Sequence, residues 1–407
     1  MKNSLFKFIR AIIAPSLFLG GILISTHAYS TNCMHVYGQS LDPHAWYDSN
    51  HKCYSCANQA ALGSCAVINE LLVRDTSAAT NVLIAAHRGY WGFPLSKGAP
   101  ENTMQALQKA ISIGNVELLE IDVTKTLDDK LVLNHFFNLL GADADGAGFL
   151  ESENPRNLTL SQLKTINVDR RDGSKSTEKF ASFEDALIYA KYSGAILMLD
   201  PKLDAGQDKK KDYANIVAIA LEAARFHDAL DNLVVKVYLT HAEIVSELNQ
   251  SPHLHHNFAD GYEGRFLWAP ITSSGIKDKT QAETLTFIDT WWDNAHKQVS
   301  NWETNIYSPD WWGAKAFTSG DKSYDSLINY VNVKTNRRGS LWSLDPAGPR
   351  GTLSRVHKWK FIANTPNDER GDVFSTMNYP GASHALITTD RPDFYKQFKH
   401  YAHLGGN

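Results

Sequence analysis

From about residue 79 onward, short apolar runs alternate with stretches whose apolar residues recur at helical spacing. Val82–Ala86 is a branched run bounded by turn residues and reads as a buried strand. Met104, Leu107, Ala110 and Ile111 follow at helical spacing behind Asn102-Thr103, a candidate N-cap, and Gly114 closes that helix. Further strands are expected at 116–124, 131–135, 195–202, 233–240, 265–271, 340–344 and 385–389, with helices at 183–190, 213–226 and 242–248. Strands alternating with helices imply a parallel sheet. About eight of them predict an α/β fold closed into a (β/α)8 TIM barrel, with an open doubly wound sheet as the alternative. Two stretches exceed ordinary loop lengths and read as insertions at the barrel rim: 251–322, rich in His and Trp, and 347–383, rich in Gly, Pro and Asp.

The first thirty residues stand outside this pattern. Lys2, Lys7 and Arg10 precede an apolar run, Ala11–Ser25, broken by Pro15, Gly20 and Gly21. His27-Ala28-Tyr29-Ser30 then supplies small residues where a signal peptidase cuts, so 1–30 reads as a secretory signal peptide cleaved after Ser30. A membrane anchor is the alternative, but the run is short for a span. The expected mature protein is therefore secreted or periplasmic, with no transmembrane segment. All four cysteines, Cys33, Cys53, Cys56 and Cys65, fall within 31–78, which reads as a small extension stapled by two disulfides in an oxidising compartment. Three pairings stay open, and four thiolates around zinc remain the rival because Cys53 and Cys56 have ligand-like spacing.

Charge narrows the range of partners. Loss of Lys2, Lys7 and Arg10 moves the formal charge of the 407-residue chain from −4 to −7. A mildly acidic protein lacks the concentrated basic face that nucleic acid requires. An anionic substrate must be gripped locally.

Candidate grips sit at strand ends. The 82–86 run delivers His87-Arg88 into a loop holding Gly89, Gly92 and Gly98. In the 116–124 run, period two puts Glu120 and Asp122 on one face and Leu119, Ile121 and Val123 on the other. Two acids side by side on an apolar strand repel each other unless a cation lies between them, and hard oxygen ligands suit Mg2+ or Ca2+. A salt-bridge pair at the rim is the plainer alternative. Asp200 and Lys202 share a face at the end of another apolar run, giving a third metal oxygen and a cation for phosphate, although Asp-Pro-Lys by itself is an ordinary strand-ending turn. His135 ends a further run, where a lone histidine is more often structural than catalytic. The C-terminal mouth of a barrel is where such strand ends converge, and the residue types fit phosphodiester hydrolysis.

The blocks HRGYWGFPLSKGAPENT, ELLEIDVTKTLDDKLVLNH, LDPK and HALITTDRPD resemble the glycerophosphodiester phosphodiesterase family, within the superfamily that includes phosphatidylinositol-specific phospholipase C. The resemblance runs from about residue 81 to 393. It implies His87 and His135 as the acid–base pair and Arg88 and Lys202 as phosphate ligands. Glu120, Asp122 and Asp200 would bind one divalent cation, Ca2+ or Mg2+, with Glu101 in or beside the metal shell; a helix N-terminal carboxylate is the other reading of Glu101. The implied substrate is a small-molecule or lipid phosphodiester, with transient contact at a membrane surface in the lipid case. Phe136 stands where the family usually has Asp, Asn138-Leu139-Leu140-Gly141 replaces its Leu-x-Arg-Thr-Thr stretch, and Asp200 replaces a Glu. That Asp is similar to the spider-venom phospholipase D branch. Two alternatives follow: a phospholipase D-like or sphingomyelinase D-like activity on phospholipids, and a non-catalytic binding module on the same barrel. Trp291, Trp292, Trp302, Trp311 and Trp312 offer either a platform for choline or an acyl chain, or a core for the first insertion. His253, His255 and His256 suggest zinc only weakly, with no matched carboxylate or thiol nearby.

Overall fold

The computed structural model describes residues 67–395 except 69, 73–80, 92–97, 136–137, 140–141, 171–172, 204–207, 273–280, 296–297, 306–326, 343–384 and 391. The strands are β1 (Leu83–Ala86), β2 (Leu118–Lys125), β3 (Leu131–Leu133), β4 (Ile196–Pro201), β5 (Leu233–Val237), β6 (Leu267–Pro270), β7 (Asn301–Asn305), β8 (Arg338–Trp342) and β9 (Leu386–Thr389). Eight run parallel in the order β6-β5-β4-β2-β1-β9-β8-β7. The two ends of that path meet through the bridges Trp268–Val299 and Ile271–Glu303. There the Ser300 N–H donates to the Trp268 carbonyl at 2.8 Å and the Thr272 N–H to the Glu303 carbonyl at 2.9 Å. The result is a nearly closed TIM barrel.

Helices α1 (Met104–Ser112), α2 (Phe183–Ser193), α3 (Lys209–Phe226), α4 (His241–Gln250), α5 (Gln281–Ala295) and α6 (Leu327–Thr335) connect successive staves. The starts of α1 to α4 are capped by side chains: the Thr103 hydroxyl accepts the Ala106 N–H at 3.3 Å, and Ser182 and Asp185 form a capping box on α2. Alternate strand residues point outward against these helices, where Leu119, Ile121, Leu197, Leu199, Leu233 and Val235 join one large core.

The opposite faces fill the barrel. Leu83, Ala85, Leu118, Ile196, Met198, Val234, Leu267, Ala269 and Leu386 form a separate inner cluster near the strand starts. Val67, Ile68, Leu71 and Leu72 complete that cluster, so the described end of the 31–78 segment forms the barrel's floor. A buried ion pair fastens it: the Arg338 guanidinium, on β8, reaches the Glu70 carboxylate at 2.6 Å and the Glu70 carbonyl at 2.8 Å. The amide of Asn81 donates to the same carboxylate at 2.8 Å, and Arg337 donates to the Leu72 and Val299 carbonyls. Residues 1–30, all four cysteines and the stretch 347–383 lie outside the described residues. No helix among those described is long and apolar enough to cross a membrane.

Two expectations are corrected. The 131–135 run is no stave; β3 pairs antiparallel with β2 as the return arm of a hairpin. The missing stave is β7, which lies with β6 and α5 inside 251–322, so the described part of that segment supplies two staves of the barrel and the helix between them. The expected count of eight was reached by one strand too many and one too few. Trp291 and Trp302 accordingly belong to the common core and form no ligand platform, while Trp292 stacks with Arg337 at 5.1 Å; Trp311 and Trp312 lie outside the described residues.

Glu70→Gln strands the buried Arg338 charge and is expected to reduce the free energy of unfolding by about 3 kcal/mol. Urea titration reads this directly. A loss below about 1 kcal/mol would show that the ion pair does little to hold the floor.

Candidate active site

At the C-terminal end of the barrel the inward residues change from apolar to charged. β1 and β9 pair with Ala86 opposite Thr389, and the ladder continues as the His87 N–H donates to the Thr389 carbonyl at 2.9 Å. His87 thus stands beside Asp390, whose carboxylate accepts from Nδ1 at 2.7 Å and from the Trp91 indole at 3.4 Å. A carboxylate at Nδ1 fixes the imidazole's orientation and makes Nε2 the basic nitrogen.

The chain then turns sharply. Arg88 and Gly89 take φ values of 56° and 77°. Any Cβ at Gly89 would stand 2.7 Å from the Ala106 backbone, so glycine is required where the loop crosses the first turn of α1. The turn aims Arg88 inward: its backbone N–H donates to Glu120 at 3.0 Å, and its guanidinium pairs with Asp122 at 2.8 Å and Glu101 at 2.9 Å. Asn102, also left-handed at φ 55°, clasps Asp122 by donating from its amide at 2.9 Å and accepting the Asp122 N–H at 3.1 Å.

Strand register assembles the acids. β2 and β4 place Asp122 directly opposite Asp200, with Glu120 one pleat below on the same face as Asp122. Oxygens of Glu120, Asp122 and Asp200 lie within 4.8 Å of one another. Two ammonium groups cross-link the three: Lys202 Nζ lies 2.9 Å from both Asp122 and Asp200, and Lys236 Nζ lies 2.9 Å from Glu120 and 3.5 Å from Asp200. Glu303 on β7 holds Lys236 from the far side at 2.9 Å.

Burial alone would raise the carboxyl pKa values, but Lys202, Arg88 and both histidines hold Asp122 well below the usual range, and Lys202 with Lys236 holds Asp200 low. Glu303 goes the other way, raised by burial and by its acidic neighbours. Burial disfavours the Lys202 and Lys236 charges, yet the surrounding carboxylates outweigh it and keep both protonated.

His135 arrives by an indirect route. The β2–β3 hairpin overshoots the mouth and turns back, so that the Asn134 N–H donates to the Asp122 carbonyl at 3.0 Å. Burial, with Arg88 and Lys202 nearby, lowers the His135 pKa against the pull of Asp122, leaving a neutral imidazole at neutral pH. Both histidines influence Asp122.

The expected residues His87, Arg88, Glu101, Glu120, Asp122, His135, Asp200 and Lys202 are all gathered at this mouth. Two details complete the geometry. Glu101 stands outside the carboxylate trio and pairs with Arg88, and the Arg88 guanidinium is committed to carboxylates. Asp390, Asn102, Lys236 and Glu303 were not anticipated. Asp390 ends an apolar run as the other candidates do, and that signal could have found it. Lys236 and Glu303 carry no such mark. Among the described residues, His253, His255 and His256 join no metal-binding group; the first two line an outer cavity of about 460 Å³.

Three clustered oxygen donors of like charge, two of them fully buried, match the demands of a hard divalent cation. Flanking imidazoles and a part-exposed lysine add proton transfer and anion binding to what the mouth can do.

The model of the glycerophosphoryl diester phosphodiesterase family matches residues 87–258. A glycerophosphodiester phosphodiesterase of Caldanaerobacter subterraneus subsp. tengcongensis is 33% identical over 107 residues, which make up 26% of this chain and 37% of that protein. The matched segment thus spans little more than a third of that relative's length. A glycerophosphoryl diester phosphodiesterase from Parabacteroides distasonis shares the fold at a TM-score of 0.54 and 14% identity, over 83% of this chain and 94% of its own. An Oleispira antarctica phosphodiesterase, solved with the product sn-glycerol-3-phosphate, matches at a TM-score of 0.43 and 14% identity, over 78% of this chain and 94% of its own.

Because the Asp122 pKa is lower folded than unfolded, its stabilisation is complete above the unfolded value of about 3.9 and is lost as pH falls through the folded value. Urea stability of the protein kept in chelator should show a decline that sets in below about pH 4, whatever the histidines contribute at higher pH. In Asp122→Asn that decline should be shallower, whatever the absolute stability. An equally steep decline would contradict the assignment.

Proposed function

We propose that this protein, whose residues 87–258 match the model of the glycerophosphoryl diester phosphodiesterase family, is a metal-dependent phosphodiesterase that splits glycerophosphodiesters into glycerol phosphate and an alcohol such as choline. The observation that carries the reading is the convergence on Asp122 of both histidines, Arg88 and Lys202, beside two further carboxylates. Ca2+ or Mg2+, held by Glu120, Asp122 and Asp200, would supply a Lewis acid for the phosphoryl group.

The remaining steps belong to the chain. Lys202, bridging Asp122 and Asp200 at the mouth, is the cation placed to bind a phosphate oxygen. Arg88 holds Asp122 and Glu101 in place and adds positive charge beneath the phosphate site. One histidine takes the proton of the attacking oxygen while the other delivers a proton to the departing alkoxide. Neutral His135 suits the base. His87, held at Nδ1 by Asp390 and so presenting Nε2, suits the acid. Catalysis outside the cytoplasm, after removal of residues 1–30, is part of the same proposal.

His87→Ala and His135→Ala should each lower kcat for glycerophosphocholine by roughly 100-fold or more, with circular dichroism unchanged. Asp390→Asn, which keeps the shape of the brace and removes its charge, should fall between these variants and the wild type. A panel of glycerophosphodiesters, lysophosphatidylcholine and sphingomyelin, assayed with Ca2+ and with Mg2+ before and after chelation, checks the substrate class. Turnover that survives chelation, or a fully active His135→Ala, would overturn the proposal. Preference for the lipids would redirect it to phospholipase D-like chemistry.

A further inference from the structure

Two lysines cross-link the carboxylate trio, but they differ in freedom. The Lys202 side chain is 21% exposed and sits at the mouth, so it can lean away toward an incoming anion. The Lys236 side chain is 3% exposed, rises from the barrel interior on β5, and is gripped by Glu303 from a stave on the other side. Its Nζ is 2.9 Å from Glu120 and 3.5 Å from Asp200, two of the three carboxylates assigned to the metal. Any ion entering the trio displaces or shares the first lysine and must coexist with the second.

We propose that Lys236, anchored by Glu303, is a fixed internal counter-charge that sets how tightly the carboxylate trio holds its divalent cation. The inference rests on the metal reading given under Proposed function. Without Lys236, Glu120 and Asp200 would present uncompensated charge in a buried setting, and the trio would bind a cation tightly and release it slowly. With Lys236 in place, part of that negative charge is already answered at short range, so affinity falls and the ion stays exchangeable. Lys236 is thus a positioning and charge-setting residue, distinct from the groups that touch substrate. Glu303 lies outside the trio and acts by keeping the ammonium seated.

The test is calorimetric titration of the full chain, stripped with chelator, using Ca2+ and Mg2+ separately. Lys236→Met should lower the Kd for the preferred ion at least tenfold, a change of about 1.4 kcal/mol. Lys236→Arg keeps the charge and should stay within a few-fold of wild type. The double variant Lys236→Met with Glu303→Gln preserves the net charge of the site, so its binding should also tighten if the short-range contact matters. It decides the question if the single methionine variant fails to fold. Binding by Lys236→Met where the wild type shows none would support the inference. A Kd that is unchanged or higher in the folded methionine variant, or binding by neither protein, would overturn it. Loss of this inference with wild-type ion binding intact leaves the phosphodiesterase proposal standing, because that proposal is judged by turnover before and after chelation.

Discussion

The rest of the site depends on Asp122 remaining ionised inside the barrel. A carboxylate removed from water is tolerated only where cations and donors replace the lost solvation, and here the replacements come from separate parts of the chain. Arg88 arrives from the loop after β1, Asn102 from the segment before α1, and Lys202 from the end of β4. His135 approaches on the β2–β3 hairpin. Two of these segments follow an unusual path to reach Asp122. Arg88 and Asn102 occupy left-handed backbone conformations that cost energy for residues other than glycine.

That arrangement needs a barrel whose interior is divided by height. Near the strand starts the inner positions are Leu, Ile, Val, Met and Ala, and the helical residues between 67 and 72 close the bottom with further aliphatic side chains. Near the strand ends the same inward faces carry Glu120, Asp122, Asp200, Lys236 and Glu303. The apolar layer keeps water from reaching the charged layer from below, and so strengthens every pairing above it. Opposite charges then have to balance locally. The lysines between the acids are the visible consequence of that requirement.

Much of this was legible because barrel staves buried on both sides are written as apolar runs, and the departures from apolarity mark the mouth. His87, Glu120, Asp122 and Asp200 each interrupt or end such a run, which is why they could be named in advance. The same rule failed at β7. Its sequence, Asn301 to Asn305, places Asn301 and Glu303 inward and Trp302 outward, so a stave that lines the charged interior reads as a polar loop. It erred in the opposite sense at 131–135, where an apolar run packs under a hairpin instead of forming a stave. Lys236 escaped notice because a single lysine inside a five-residue apolar strand has no local partner to explain it.

By itself, the sequence determined the kind of fold and the chemical character of its mouth, since period, run length and residue type are properties of neighbouring positions. It marked which side chains leave the apolar pattern and so must be answered by something. What answers them was decided only by the tertiary structure. The register of β2 against β4 sets Asp122 opposite Asp200, the β1–β9 pairing brings Asp390 to His87, and barrel closure carries Glu303 to Lys236. Charge pairing acts over a few ångströms in space, whatever the separation along the chain, so the identity of each partner is fixed only once the staves have met.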